Sequence, residues 1–263
     1  LADKYAPATV TVTYSYVSTI LKDAVQNRRI PRTPWVGIKV PEIVKKRVVP
    51  RTTDQVMAAA KVASDRLYAA VILAAGTGMR RSEVLGLTVD RVEFLRQKIV
   101  VDRQLVGLDE GQPVFGPPNT KTSIRTIPLA ESVAKALAQH MEKYPPGTEG
   151  IVFTTYRRNP WRRETFGHEW KDRMDAAKLA GFAFHELRHY YASLLIRHGE
   201  SVKTVQANLG HKSAEETLNT YAHLWEDADD RSRAAVHAAL KLPSAESAPD
   251  YSRTTAEGTP YLA

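Results

Sequence analysis

From residue 130 to residue 240, apolar side chains return every three or four positions through six successive segments, at 130–141, 166–179, 187–198, 201–209, 214–221 and 227–240. That spacing gives each segment an apolar stripe, and helices built this way must bury their stripes against one another or against a sheet. Three further helices are predicted upstream, over 53–63 from the cap-like Thr53-Asp54, over 65–75, and over 80–87 beyond Gly76-Thr77-Gly78. β-Branched residues cluster or alternate at 92–101 and 125–129 between turn-rich segments, which predicts a small antiparallel sheet, with 151–153 as a further short strand. The expected fold class is mostly α with a small antiparallel β-sheet (α+β).

The front of the chain reads separately. Val10, Tyr14, Val17, Leu21 and Val25 line one face of a helix over 9–26, starting near a Thr9 cap and ending by Asn27. Pro31, Pro34, Pro41 and Pro50 then break regular structure, with Lys45, Lys46 and Arg47 near the end of that stretch, so it reads as a linker. We expect one unit at 1–47, a larger one at 48–242, and a flexible tail at 243–263 rich in Ser, Ala, Pro and Thr. The chain opens on Leu1 and carries neither a secretory signal pattern nor a run of ~18 apolar residues. It therefore reads as a fragment or processed chain of the cytoplasm, with no membrane partner.

Charge points to a partner class. Thirty-seven Lys and Arg against 29 Asp and Glu leave a net charge of +8. Residues 1–50 hold nine basic and three acidic residues, whereas 226–263 hold four basic and seven acidic ones. A basic front with an acidic tail favours polyanion contacts before residue 226. There is no cysteine, so disulfide scaffolds, thiolate metal sites and cysteine nucleophiles are excluded.

Two short motifs suggest chemistry that the rest of the chain does not support. His185-Glu186-Leu187-Arg188-His189 matches H-E-x-x-H, which on a helix would turn two imidazoles toward zinc. A third ligand is needed, and the position six residues beyond is Leu195. Gly76-Thr77-Gly78 is a poor dinucleotide fingerprint, because Arg81 stands where the third glycine belongs and a helix precedes it. No metal and no cofactor is expected.

What remains is a distributed set: Arg80 after a glycine turn, Lys121, His185 with Arg188, His211 after Leu209-Gly210, and Tyr221 ten residues later. Through Thr77-Gly78-Met79-Arg80-Arg81-Ser82-Glu83, through His185-Glu186-Leu187-Arg188-His189, and through Leu209-Gly210-His211 followed by Thr217, Thr220-Tyr221 and His223, the chain resembles the tyrosine recombinases of the phage integrase family. The resemblance runs from about residue 51 to 240 and makes 48–242 the catalytic domain. Residues 1–47 resemble only the latter part of the family's helical core-binding domain, and the amino-terminal arm-binding domain of some phage integrases has no counterpart.

The resemblance implies a site-specific DNA recombinase that cuts and rejoins duplex DNA through a 3′-phosphotyrosyl intermediate and a Holliday junction. Tyr221 is then the nucleophile, and Arg80 and Arg188 hold the scissile phosphate. Forked, permanently charged guanidiniums suit a phosphorus centre that gathers negative charge in the transition state. His185 manages the proton of the nucleophile, His211 bonds a phosphate or tyrosyl oxygen, and Glu83 orients an arginine or histidine. Lys121 is the general acid for the leaving 5′-oxygen, placed in a hairpin. The family's common pattern has this lysine two positions earlier, where this chain reads Asn119-Thr120-Lys121-Thr122. His189 and His223 are expected to be structural.

The implied partners are duplex DNA attachment sites, three further protomers in a tetramer on DNA, and accessory DNA-bending or excision proteins, in a nucleoid-associated bacterial cytoplasm. Lys45, Lys46 and Arg47, with Arg157, Arg158, Arg162 and Arg163 around Trp161, are the candidate phosphate-tracking residues. Two other readings are a type IB topoisomerase-like enzyme that relaxes supercoils, and an inactive DNA-binding regulator.

Overall fold

The computed structural model describes residues 4–43, 47–118, 120–225, 233 and 236–240. The chain divides into two compact units, Leu1–Arg47 and Val48–Ala263. In the first, α1 (Pro7–Gln26) begins two residues earlier than its Thr9 cap predicts, because Pro7 supplies the first helical residue with its φ already set. Its predicted stripe is half-buried. Tyr14 packs on Trp35, ring centroids 5.5 Å apart, while Val12, Tyr16 and Ile20 on another face are exposed.

The second unit opens with α2 (Thr53–Val62), whose cap is Thr52, one residue before the predicted one, because Thr52 and Gln55 close a reciprocal capping box. Then comes α3 (Asp65–Thr77), apolar on almost every side, with Leu67, Val71, Leu73 and four alanines buried. Such a helix belongs at the centre, and α3 indeed packs against α2, α5 (Glu131–Lys143) and α7 (Glu186–Arg197). Gly76 sets the approach to α5, since a Cβ there would stand 2.5 Å from Val133 Cγ2. The short α4 (Arg81–Leu85) stops sooner than predicted, because Gly86 lies against the backbone of Gln104 and Leu105.

The predicted sheet is present as β1 (Val92–Glu93), β2 (Lys98–Val101) and β5 (Arg125–Pro128), antiparallel in the order β1-β2-β5. Between β2 and β5, a second pair, β3 (Gln104–Asp109) and β4 (Gln112–Gly116), forms a hairpin where only turn-rich segments are expected. Glu110 and Gly111 both take positive φ and close it. Residues 151–153, expected as a strand, make only an isolated bridge, Thr88 to Ile151. The glycine turn at Gly147 and Gly150 brings them into the core without a neighbour to pair along their length.

The remaining helices are α6 (Arg163–Ala176), α8 (Val202–Leu209) and α9 (Ala214–Tyr221). The large core lies among α2 to α7 and the sheet, and a smaller cluster joins Tyr191, Ala192, Ile196, Val205, Leu209 and Tyr221. That smaller cluster holds α9 onto α7 and α8. Of the helix predicted over 227–240, only 233 and 236–240 are described; 236–240 are helical, with Val236 and Leu240 exposed. The tail at 243–263 lies outside the described residues. Among the described residues no helix is long and apolar enough to cross a membrane.

Candidate active site

Two glycines bring distant segments together. Gly78 caps α3 in the left-handed conformation at φ +65°, and a Cβ there would lie 2.5 Å from Tyr191 and 2.9 Å from Leu209. Gly210 caps α8 the same way, with a Cβ position 3.0 Å from Ser123 Cα and 3.1 Å from Arg125 Cδ. Only glycine meets both the handedness and the closeness at these two helix ends. Beyond these turns stand two of the candidate residues, Arg80 two positions after Gly78 and His211 next to Gly210.

Arg80 precedes α4. Its Nη1 donates to Glu83 Oε1 at 3.1 Å and to Ser123 Oγ at 3.4 Å, and its Nη2 to the Gly210 carbonyl at 3.4 Å. Glu83 is buried and also takes a two-pronged bond from Arg125, at 3.1 and 2.8 Å. Arg125 in turn donates to the carbonyls of Asn208 and Ser123. Sequence reasoning assigned Glu83 an orienting role but missed Arg125, for which a lone arginine opening a short strand gives no signal. Burial would push the Glu83 carboxyl up, but the Arg125 hydrogen bonds and charge, then Arg80, hold it below its ordinary value.

That shift has a pH consequence. The folded value lies below the unfolded one, so the stabilisation is present above the unfolded carboxylate's pKa and is lost as pH falls through the folded one. Glu83→Gln is expected to lose about 3 kcal/mol at pH 7, since Arg125 is left buried without its counter-charge. It should also flatten the acid limb of melting temperature against pH. Parallel curves for parent and variant between pH 7 and 3 would show that the clamp does not contribute.

Arg188, in the first turn of α7, is 3% exposed. Its Nη1 donates to the Gly78 carbonyl at 2.8 Å, while Nη2 is buried with no hydrogen-bond partner among the described residues. Burial, followed by the positive charges of Arg80 and Arg125, lowers its pKa to about 9. It remains a cation at neutral pH, but one with a donor unmet and two like charges nearby. An anion would relieve both.

Two imidazoles, His189 and His211, flank the ring of Tyr221, the last residue of α9 and 1% exposed, and a third, His185, packs on His189. His189 Nδ1 lies 2.7 Å from the Tyr221 hydroxyl. The His211 ring is nearly parallel to Tyr221 at 6.3 Å, its Nδ1 sharing a 2.8 Å bond with the Thr217 hydroxyl. His185 meets His189 edge-on at 4.9 Å. Burial pushes Tyr221 up to about 12 and, with nearby positive charge, brings His185 and His211 down to about 4. At neutral pH the phenol keeps its proton and these imidazoles are uncharged.

The other expected residues fall differently. Lys121 is not in a hairpin: it opens a 3-10 turn, Lys121–Ser123, beyond Pro117-Pro118, which end the hairpin strand by withholding N–H donors. Ser123 at the end of that turn reaches Arg80 and Gly210. Among the described residues His223 makes no hydrogen bond to the cluster and pairs with the Val48 carbonyl at 2.8 Å. His189, expected like His223 to be structural, lies with its Nδ1 at the Tyr221 hydroxyl. Glu186 of the H-E-x-x-H match is paired with Arg51.

Of the candidate phosphate-tracking residues, Lys45 and Lys46 lie outside the described residues, and Arg47 is exposed. Arg157 and Arg158 sit on an exposed turn, Arg158 donating to the Pro146 carbonyl. Arg162 and Arg163 stand at the start of α6, where Arg163 contributes to lowering the pKa of Arg81, after burial. No hydrogen bond or ion pair among the described residues joins these four to the Arg80–Arg188 cluster.

The family model described as the phage integrase family matches residues 46–227. A XerC-like tyrosine recombinase of Caldanaerobacter subterraneus subsp. tengcongensis is 29% identical over 243 residues, covering 82% of this chain and 62% of that protein. The ICEBs1 integrase of Bacillus subtilis is 29% identical over 161 residues, covering 57% of this chain and 42% of that one. The chain thus spans roughly half of the length of these curated relatives. Among solved structures, the Tn1549 transposon integrase in complex with a circular intermediate DNA aligns with a TM-score of 0.74 at 21% identity, over 90% of this chain and 81% of that one. A lambda integrase tetramer bound to a Holliday junction aligns with a TM-score of 0.60 at 21% identity, over 81% and 61%.

Proposed function

This chain belongs to the phage integrase family, and from that premise we propose that it is a site-specific DNA recombinase that breaks and rejoins strands through a phosphotyrosine. The observation that carries the reading is the buried Nη2 of Arg188, without a hydrogen-bond partner among the described residues, beside the buried Tyr221. A phosphodiester supplies the anion that Arg188 lacks. Arg80 and Arg188 would bind its nonbridging oxygens and stabilise the charge that builds on them in the transition state. The Glu83–Arg125 clamp fixes Arg80 before substrate arrives, which reduces the reorganisation needed during the reaction.

Tyr221 Oη attacks phosphorus, the bond to the 5′-oxygen breaks, and the 3′-phosphate remains on the enzyme. Rejoining reverses these steps. His211 donates to a phosphate oxygen, with Thr217 fixing its ring, and His185 borders the same space. Lys121 protonates the leaving oxygen. On a substrate whose 5′-oxygen is replaced by sulfur, Lys121→Ala is expected to recover most of the activity it loses on the ordinary substrate, because a thiolate leaves without protonation. Quenched-time-course cleavage of both substrates measures this, and equal impairment on the two would remove Lys121 from the role.

The partner in this reading is duplex DNA carrying attachment sites. Four protomers act on two sites through a Holliday junction, as the tetrameric assembly of lambda integrase supports. Arg47, Arg157, Arg158, Arg162 and Arg163, together with Lys45 and Lys46, add phosphate contacts; accessory DNA-bending or excision proteins and a bacterial cytoplasmic setting complete the reading. The test is a denaturing gel of the protein with a nicked duplex that traps the cleaved product. A covalent complex mapping to Tyr221 supports the reading, and its absence on duplexes carrying the attachment sites rejects it.

A further inference from the structure

We propose that His189, rather than His185, takes the proton from Tyr221 when the phenol attacks, and that it holds the phenol in place beforehand. The proposal rests on the recombinase reading and deepens it. In the second half of H-E-x-x-H, His189 stands one helical turn beyond His185 and one residue beyond Arg188, so α7 brings it to the Tyr221 oxygen as it brings Arg188 to the phosphate site. His185 makes no hydrogen bond to Tyr221 among the described residues, and its ring meets His189 instead.

The direction of the bond follows from burial. Tyr221 is almost fully enclosed, and His189 Nδ1 is the one hydrogen-bond partner recorded for its hydroxyl among the described residues. If the imidazole donated, the phenolic O–H would be left buried without an acceptor, at a cost of roughly 1–3 kcal/mol. The O–H therefore donates to an Nδ1 lone pair, which assigns the imidazole proton to Nε2.

The charged and titratable groups acting on His189 are Arg188, Glu186 and His185 on its own helix and Tyr221 on α9. α3 and α8, which also pack on α7, bring it no further charge, and His223 after α9 pairs with Val48. Burial and then Arg188 hold its basicity down, with Glu186 opposing. Before substrate binds, the proton stays on oxygen and the nucleophile is inert. A phosphodiester seated on Arg188 offsets that positive charge and strengthens His189 as a base when there is something to attack. The Oη–H bond then breaks toward Nδ1 as the Oη–P bond forms; the P–O5′ electron pair leaves on O5′, which is protonated separately. On rejoining, His189 returns its proton to the departing phenol.

The experiment is single-turnover cleavage of a nicked duplex by the parent, His189→Asn, His189→Gln and Tyr221→Phe, with melting curves and DNA binding measured in parallel. Asn and Gln can accept the phenol's hydrogen bond but not its proton. Both are expected to bind DNA normally, to cleave ~10²-fold more slowly at pH 7, and to gain close to tenfold in rate per pH unit, because only preformed phenolate can then attack. Placing a more acidic fluorotyrosine at position 221 should speed these variants far more than the parent. In the parent, whose folding is not in question, the fluorotyrosine should change the rate only weakly; a parent rate that follows the ionised fraction of the phenol would overturn the proposal. So would a folded Asn or Gln variant with the parental rate and pH profile, provided the parent's adduct maps to Tyr221. Loss of the Tyr221 adduct in the parent itself would instead reject the recombinase reading.

Discussion

Tyr221→Phe is expected to fold, to bind duplex DNA as tightly as the parent, and to leave no covalent adduct on a nicked duplex. The ring stays in its cluster with Tyr191, Ile196, Val205 and Leu209, so the apolar packing of α9 is unchanged. What is lost from stability is one hydrogen bond to His189, about 1 kcal/mol. What is lost from chemistry is the only atom in the proposal that attacks phosphorus, so adduct should fall to background rather than by a modest factor. Gel-shift affinity together with a denaturing gel separates the two effects. An adduct of undiminished yield would assign the nucleophile elsewhere.

Arg188→Ala is expected to lower cleavage by ~10²-fold or more, as removal of a preorganised oxyanion donor does. Its effect on stability should be far smaller than deletion of a buried charge usually brings. Arg188 is a cation held beside Arg80 and Arg125, which together with burial pull its pKa to about 9. Removing it relieves repulsion and an unmet donor, against loss of its bond to the Gly78 carbonyl. A melting temperature near the parental one alongside collapsed cleavage would identify a residue kept for substrate at the expense of the unbound fold. Arg188→Lys should also be impaired, because one ammonium cannot replace the fork that spans Gly78 and the phosphate. Cleavage within tenfold of the parent in Arg188→Ala would remove it from the site.

The sequence is legible where structure is local. α9 ends at Tyr221 as its periodicity predicts, with Ser213 accepting from the Glu216 N–H at its start. The helix expected over 201–209 stops at Gly210, whereas the one expected over 65–75 runs on through Gly76 to Thr77 before Gly78 caps it. The β3–β4 hairpin was missed although Glu110-Gly111 is a turn signal, since its strands carry Gly107, Pro113 and several polar residues that weaken the alternation. The 151–153 segment is apolar enough for a strand, but pairing requires a neighbour, and periodicity says nothing about neighbours.

Residue types and their order along the chain were sufficient to assign the family, to mark Arg80, His185, Arg188, His211 and Tyr221 as candidates, and to give Glu83 an orienting role. They could not say that Glu83 would be shared between Arg80 and Arg125, or that His189, in place of its neighbour one turn away, would meet the Tyr221 hydroxyl. Those pairings span 42 and 32 residues. A motif reports chemistry available within a turn or two of helix, whereas a hydrogen bond forms within ~3 Å of space. Only tertiary packing, with Arg125 of β5 set against Gly210 and Tyr221 of α9 in one cluster with Tyr191 of α7, brings such distant atoms that close.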